Sequence, residues 1–209
     1  MKVKTLFLIC FLSITCLLNA ADKPVIQIHT DNSSLIFRVA DNGRLYQSYL
    51  GKKLSHETDI SHLPHGTEAY ITHGMEDYFE PAIHILHNDG NPSLLLKYVS
   101  HETKAVSQGV NETIITLGDD KYPVTVKLHY VTYPAEDIIK TYTEISHKEK
   151  KPVVLHQYAS SMLHLNRAKY YLTEFAGDWA HEANISDQPL EFGKKVLDTK
   201  LGARANMFT

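Results

Sequence analysis

The segment EAYITHGMEDYFEPAIHILHNDGNPSLLLKYVSHE, from Glu68 to Glu102, is the most informative part of this chain. Two further blocks accompany it: HYVTYPAEDIIKTYTEI, from His129 to Ile145, and YLTEFAGDWAHE, from Tyr171 to Glu182. The three blocks span most of the chain after residue 34.

Alternation of apolar and polar residues predicts antiparallel strands on both sides of the opening segment. Before it, Leu35, Phe37 and Val39 alternate with other residues. Asp41-Asn42-Gly43 then supplies a tight hairpin turn, because these residue types tolerate left-handed backbone conformations. A returning strand over residues 45–50 completes the hairpin.

The longest predicted strand lies after the opening segment, with Lys127 and His129 on one face. Its other face carries Val124, Val126, Leu128, Tyr130 and Thr132. Residues 114–117 and the turn at 118–121 predict a hairpin with it, and further strands are expected at 138–145, 153–162 and 169–175. Many short strands, and the lack of an apolar stripe at helical spacing, predict an all-β fold, a large antiparallel β-sandwich. The lack of an internal repeat or a linker predicts a single domain.

The three blocks resemble the N-terminal domain of bacterial α-galactosidases of glycoside hydrolase family 36. In the first block the matching residues are Gly74, Asp77, Tyr78, Pro81, Ala82, Asp89, Gly90, Tyr98, Ser100 and His101. The second block resembles the family's strand–Tyr-Pro-x-x-Asp–strand pair, and the third its Gly-x-Trp-x-x-Glu motif. The resemblance implies a β-supersandwich that precedes a (β/α)₈ barrel, on which two aspartates carry out retaining hydrolysis of α-galactosides.

None of the family's barrel motifs occurs in this sequence, so the resemblance assigns no catalytic residue to it. The final residues LGARANMFT resemble a family segment inside the sandwich, and the domain over residues 22–209 is therefore expected to be C-terminally incomplete. Two departures matter. Phe79 stands where many members have Arg. Some tetrameric members have a long loop near the N-terminus that supplies an Asp to a neighbouring active site. The corresponding residues 51–72 are a short segment here, so that role is not assigned to Asp59. A homo-oligomer is one possible assembly.

Residues 1–21 have the layout of a cleaved secretory signal peptide. Lys2 and Lys4 precede an apolar run from residue 6 to residue 18, and Asn19-Ala20-Ala21 offers small residues for cleavage before Asp22. The alternatives are a membrane anchor, a buried N-terminal helix, or lipid attachment at Cys16. Export to the periplasm or the extracellular space is the expected localisation.

Cleavage would remove both cysteines, leaving 188 residues that depend on burial for their stability. It would also leave 19 basic residues against 24 acidic ones, a formal charge of −5. A mildly acidic chain without basic clusters argues against nucleic acid and anionic membranes as partners. A neutral ligand such as a sugar is compatible with this charge.

The 13 histidines do not predict a metal site or a cofactor. His84 and His87 lie three apart on a predicted strand and therefore point to opposite faces. His62 and His65 flank Pro64 in a predicted loop, and no third ligand follows at a spacing typical of zinc sites. The sequence also lacks a nucleophile elbow and a phosphate-binding glycine loop.

Three carboxylate pairs are candidates for glycoside chemistry, which uses two carboxyl groups across the scissile bond. Glu136 with Asp137 and Asp77 with Glu80 lie beside prolines and are interpreted as turn residues. Asp178, paired with Glu182, differs because it precedes Trp179, the only tryptophan. An aromatic face beside a carboxylate suits a sugar, so Asp178 and Trp179 are the predicted substrate-binding residues, against the alternative of a buried Trp beside a turn Asp.

Two functions follow. The first is the non-catalytic N-terminal domain of a secreted α-galactosidase, packed on a catalytic barrel and meeting the α-galactoside only through the full-length enzyme. The second is a stand-alone β-sandwich that binds carbohydrate or protein.

Overall fold

The computed structural model describes residues 23–75, 79–165, 169–178 and 181–198. In these residues the chain is built mostly from antiparallel strands, which confirms the predicted all-β class. The elements, in chain order, are β1 (Val25–His29), β2 (Ser33–Val39), β3 (Leu45–Lys52), α1 (Glu57–Ser61), β4 (Thr67–Glu68), β5 (Ile83–Leu86), β6 (Lys97–Ser107), β7 (Val110–Gly118), β8 (Val124–Tyr133), β9 (Ile138–His147), β10 (Val154–Tyr158), β11 (Tyr171–Asp178) and β12 (His181–Pro189).

The first sheet has the order β1-β2-β3-β4 and contains the predicted N-terminal hairpin. Gly43 lies between β2 and β3 with φ +78°, a conformation that favours glycine. The Asn42 side chain accepts a hydrogen bond from the Arg44 backbone N–H at 2.9 Å. The turn is therefore fixed by the residue types that predicted it.

The second sheet has the order β6-β7-β8-β9 and contains the predicted long strand. Asp119 shapes the turn between β7 and β8, because its carboxylate accepts from the backbone N–H groups of Lys121 at 2.6 Å and Tyr122 at 2.8 Å. The predicted apolar face of β8 is confirmed, since all five of its side chains are buried: Val124, Val126, Leu128, Tyr130 and Thr132.

One hydrophobic core joins both four-stranded sheets, which is the defining feature of a sandwich. Phe37 of the first sheet meets Tyr130 of the second with ring centroids 5.1 Å apart. Ile83 and Ile85 of β5 lie in the same core. Burying one such large apolar side chain contributes about 1.5–3 kcal/mol.

A loop over residues 53–66 runs back along the first sheet and includes the short helix α1. Ser34 accepts from the Leu54 backbone N–H at 3.0 Å, and Ser48 donates to the His65 carbonyl at 3.1 Å. The Arg38 guanidinium also donates to the Ile60 carbonyl in α1. A five-residue helix is too short to show apolar periodicity, so α1 was not predicted.

Strand β10 is shorter than the predicted strand over residues 153–162. It pairs with β5, and the register shifts between Leu155 and Gln157. Ala159 and Met162 lie beyond its end and pack on the core without being part of the sheet.

The chain divides into two compact units, Met1–Leu163 and His164–Thr209. Both sheets, β5 and β10 belong to the first unit. The second contains the hairpin of β11 and β12, whose register runs from Tyr171 opposite Pro189 to Asp178 opposite His181. The predicted single domain over residues 22–209 stays a prediction.

No helix among the described residues has both the length and the apolar character needed to cross a membrane. The predicted signal peptide over residues 1–21 lies outside those residues, and so does Cys16.

Candidate functional site

One of the two predicted substrate-binding residues, Asp178, lies at the end of a strand of the β11–β12 hairpin. Asp178 ends β11 and pairs with His181, which begins β12, so two residues connect the strands. Trp179 and the side chain of Asp178 lie outside the described residues. The register shifts between Ala176 and Asp178, a bulge of the kind that redirects side chains at functional tips. The role of Asp178 and Trp179 in sugar binding stays a prediction.

The arms of this hairpin carry an exposed apolar face below the tip. Phe175 lies opposite Ile185, and Tyr171 lies opposite Pro189, so all four belong to one face. Tyr171 is 71% exposed, Phe175 61% and Ile185 66%. An isolated two-stranded hairpin is marginally stable in water, so this face suits contact with another surface or a ligand.

An open groove of about 890 Å³ lies at the base of the same hairpin. Its lining consists of Lys169, Tyr170, Tyr171, Pro189, Leu190, Glu191 and Phe192. Aromatic rings with one cation and one carboxylate at the rim are the composition of a small-ligand site. The groove was not predicted, because it forms only when strand pairing brings residues 169–171 and 189–192 together across about 20 positions of chain.

Of the carboxylate pair Glu136 and Asp137, Asp137 is a turn residue, as the sequence predicted. Asp137 has φ 56° in the turn between β8 and β9, and its backbone N–H donates to the Pro134 carbonyl at 3.1 Å. Its carboxylate accepts from the hydroxyls of Thr30 and, at 3.1 Å, Ser33. The hydrogen bond from Thr30, with that from Ser33, holds the pKa of Asp137 below its usual value. This carboxylate therefore connects the β8–β9 turn to the β1–β2 turn.

The second pair is only partly described. Glu80 accepts a hydrogen bond from the Gln157 side-chain amide at 3.2 Å, and the same amide donates to the Pro81 carbonyl at 2.7 Å. Asp77 lies outside the described residues, and so does the side chain of Glu182 in the third pair.

His84 and His87 make separate sets of contacts; His84 lies on β5, whereas His87, predicted on the same strand, follows its last residue and begins the next turn. His87 and Glu149 form a buried pair, with Nδ1 and Oε1 2.7 Å apart and side chains 0% and 1% exposed. The other ring nitrogen faces the Ser93 carbonyl at 3.1 Å, and the ring stacks on Tyr122 at 3.5 Å. Burial opposes ionisation of Glu149, but hydrogen bonds from His87 and from the Asn88 backbone N–H outweigh it, and its pKa lies below the usual value.

A second buried charge cluster lies on the outer face of the second sheet. Glu112 accepts from the Tyr142 hydroxyl at 2.6 Å and lies 2.9 Å from the Nδ1 of His129 and 3.0 Å from the Nζ of Lys104. The hydrogen bond from Tyr142, followed by those from His129 and Lys104, lowers the pKa of Glu112 to about 2. The cluster was not predicted, because the alternation of apolar and polar residues predicts that the outer face of the sheet is exposed. In the structure Glu112 and His129 are only 6% and 7% exposed.

Charged residues in the first sheet are also paired. Arg44 holds Glu68 through two hydrogen bonds, one of them from Nε to Oε1 at 2.8 Å. Such fork-shaped pairs fix geometry as well as charge. Across the described ranges, no group of three or more His, Cys, Asp and Glu side chains is arranged to hold a metal ion.

The fold and these sites define a β-sandwich domain with a separate hairpin that carries the candidate ligand residues. The family model described as "Glycosyl hydrolase family 36 N-terminal domain" matches residues 38–208. The chain belongs to this family, and the resemblance of its three sequence blocks is confirmed.

Similar proteins of known sequence or structure agree with this assignment. The probable α-galactosidase G of Aspergillus terreus is 23% identical over 147 residues, which cover 64% of this chain and 20% of that protein. The structure of a family 36 α-galactosidase from Geobacillus stearothermophilus in complex with raffinose gives a TM-score of 0.73 at 19% identity. The α-galactosidase from Lactobacillus brevis gives 0.69 at 20% identity.

Each of these two structures covers 81% of this chain, which in turn covers 28% of each of them. At these identities the structural likeness establishes the fold. The chain spans about a fifth of the length of the curated relatives that it matches.

Proposed function

We propose that this chain is the non-catalytic N-terminal domain of a secreted α-galactosidase that hydrolyses terminal α-galactosides. The observation that carries the proposal is the family match over residues 38–208, together with relatives whose names are those of α-galactosidases. In this proposal the sandwich packs on a catalytic barrel and borders the entrance to its active site. The α-galactoside then meets the domain only within the full-length enzyme.

The contacts made by the buried carboxylates of the described residues support a non-catalytic role. A retaining glycosidase needs two carboxyl groups about 5–5.5 Å apart, with one able to attack the sugar and the other able to exchange a proton. Glu68, Glu112 and Glu149 are instead each held by a basic side chain in a largely buried contact, with Arg44, His129 and His87 as the respective partners. A carboxylate held in this way stabilises the fold and is poorly placed to act as an acid.

A direct assay tests the catalytic part of the proposal. The purified chain is incubated with an aryl α-galactoside, alongside a mock purification and a full-length family 36 α-galactosidase. We expect turnover only with the full-length enzyme. Turnover that co-purifies with this chain and is absent from the mock sample would overturn the proposal.

We also propose that Asp178 and Trp179 border the sugar site of the full enzyme. The position of Asp178 at the end of β11, in a hairpin that carries an exposed apolar face, supports this assignment. Because Trp179 is the only tryptophan, intrinsic fluorescence reports on it alone. We expect red-shifted emission and strong acrylamide quenching in this chain. Blue-shifted, unquenched emission would identify Trp179 as a core residue and end the sugar-contact assignment.

A full-length relative provides the functional arm of the same test. Replacing the matching tryptophan with Ala should lower kcat/KM by a few-fold to about tenfold, which corresponds to the loss of one stacked aromatic contact. If the tryptophan is only structural, its replacement should lower the melting temperature and leave the kinetics unchanged, because the loss of a buried Trp costs about 3–5 kcal/mol of stability. Unchanged kinetics with a large loss of stability would contradict the assignment.

Export is proposed from residues 1–21, and its test is the N-terminus of the mature protein. Expression in a bacterial host followed by sequencing should give a chain that begins at Asp22. A chain that begins with a lipid-modified Cys16 would support the lipid-anchored alternative, and Cys16→Ser is the control that separates the two. A retained Met1 would contradict export.

The second candidate function is a stand-alone carbohydrate-binding or protein-binding module, which the open groove at the hairpin base favours. Titration calorimetry with raffinose and galactose distinguishes the two functions. Saturable binding by this chain that Tyr171→Ala abolishes would favour the module. An absence of heat with either sugar supports a domain that depends on the full enzyme.

A further inference from the structure

Three histidine rings form a continuous stack on the first compact unit. The rings of His73 and His84 lie 3.7 Å apart between centroids and are inclined by 23°, which is a stacked arrangement. The ring of His156 lies 4.8 Å from that of His84 on a tilted plane. His84 is thus the central member of a row of three imidazoles, all of them at least partly accessible to solvent.

The local backbone explains why these residues meet. Thr72 forms an isolated parallel bridge with Ile83, and the His73 backbone N–H donates to the Ile83 carbonyl at 3.0 Å. This bridge places His73 beside His84. On the other side of β5, the register of β10 shifts between Leu155 and Gln157, and His156 occupies the shifted position. The stack therefore joins the bridge segment, β5 and β10.

The charged and titratable groups around the stack are few. The electrostatic influences on His84 come from His73 on the bridge segment and from His156 on β10. Among the described carboxylates, Glu80 accepts a hydrogen bond from the side chain of Gln157, which follows His156 in β10. Within the described residues, no ring nitrogen of the three makes a hydrogen bond.

The consequence for protonation follows from physical chemistry. Burial, followed by the neighbouring His73 and His156, lowers the pKa of His84 below its ordinary value. The unfolded chain then binds a proton at His84 more readily than the folded chain does. Stability linked to this ring is fully present above the unfolded pKa and declines as the pH falls below it. A second charge in the row adds repulsion between rings that are in van der Waals contact.

We propose that the stack of His73, His84 and His156 is a pH-sensitive contact that holds β10 on β5 at neutral pH and releases it in mild acid. Neutral imidazoles attract each other as stacked rings, whereas adjacent imidazolium ions repel. Strand β10 is the element that responds, because four of its five residues are exposed and β5 is its only strand neighbour in the described part of the chain. Strand β5 stays in place because its Ile83 and Ile85 side chains are buried in the core.

Hydrogen exchange of the intact chain tests this proposal. Peptides that cover residues 153–159 are compared between about pH 7.5 and about pH 5.5, after correction for the intrinsic rate, a range that spans the ordinary titration of histidine. We expect a several-fold rise in corrected exchange at the lower pH in the wild-type chain. Peptides from β8 should show no such rise, because β8 lies between two strands of the second sheet.

Two variants make the test specific. His84→Phe keeps an aromatic ring in the row but cannot take a charge, and we expect it to abolish the acid-dependent rise. His147→Phe is the matched control, because His147 is also an exposed strand histidine but lies on β9, and it should respond as the wild-type chain does. An equal rise in the wild-type and His84→Phe chains would overturn the proposal.

Nuclear magnetic resonance provides a measurement that needs no variant. The His84 ring protons should titrate with a midpoint below that of free histidine, and the β10 amide resonances should shift over the same range. A His84 midpoint at or above that of free histidine would overturn the proposal, even if the Phe variant fails to fold.

Discussion

At the scale of single residues, burial and hydrogen bonding decide which charged groups stabilise the chain. The His87–Glu149 pair illustrates this because both side chains are removed from water. Both ring nitrogens of His87 face oxygen acceptors, and Glu149 also accepts from the Asn88 backbone N–H at 3.1 Å. The pair connects the turn after β5 to the loop after β9, which lie 62 residues apart in the chain.

We predict that Glu149→Gln destabilises the fold strongly. The variant replaces the carboxylate that accepts from His87 and from the Asn88 backbone N–H, and weakening the acceptor of buried donors costs on the order of 1–3 kcal/mol. The measurement is the free energy of unfolding from urea denaturation at neutral pH. Glu102→Gln on the exposed strand β6 is the matched control and should change the free energy by less than about 0.5 kcal/mol. Equal values for the two variants would show that the pair is not a major contact.

At the scale of secondary-structure elements, two glycines with the same backbone conformation have different surroundings. Gly66 precedes β4 with φ +81°, and Gly90 lies in the turn after β5 with φ +83°. A Cβ atom at Gly66 would lie 1.8 Å from the Gln47 carbonyl oxygen, whereas a Cβ atom at Gly90 would meet nothing within 4 Å. The glycine before β4 is therefore required by space as well as by φ.

We predict that Gly66→Ala destabilises the chain far more than Gly90→Ala. Both variants incur the left-handed backbone cost of about 1–2 kcal/mol, so their difference isolates the clash with β3. The urea midpoints of the two variants measure that difference. We also expect faster hydrogen exchange in β3 and β4 for Gly66→Ala alone. Equal midpoints would mean that β3 and β4 separate at little cost.

At the scale of the whole molecule, depressed pKa values set how the fold responds to acid. The folded-state pKa of Glu112 is lowered from 4.5 to about 2, so its contribution is fully present above 4.5 and disappears as the pH falls from 4.5 towards 2. The pKa values of His29 and His84 are also lowered, first by burial, which removes stability as the pH falls below 6.5.

We predict that the free energy of unfolding falls in two steps on acidification, a first one below 6.5 and a second one below 4.5. Glu112→Gln should reduce the second step and leave the first unchanged. Urea denaturation over a series of pH values measures both steps. Glu102→Gln again serves as the control, and a second step that persists unchanged in Glu112→Gln would assign acid unfolding to other carboxylates.

The sequence by itself determined the class of fold, the main hairpins and the family. Alternation fixed which residues of β8 face the core, and Asp41-Asn42-Gly43 fixed the first turn, because both depend on neighbours within a few positions. The three motif blocks identified the family for the same reason, since each is a local pattern of residues.

Only the tertiary structure decided which polar residues are buried and with which partners. His129 lies on the predicted outer face, yet Glu112 and Tyr142 from the two adjacent strands cover it. The stack of His73, His84 and His156 joins three segments that have no common sequence pattern. Such contacts depend on strand register and on a bulge, which arise from the free energy of the whole sheet and not from any local run of residues.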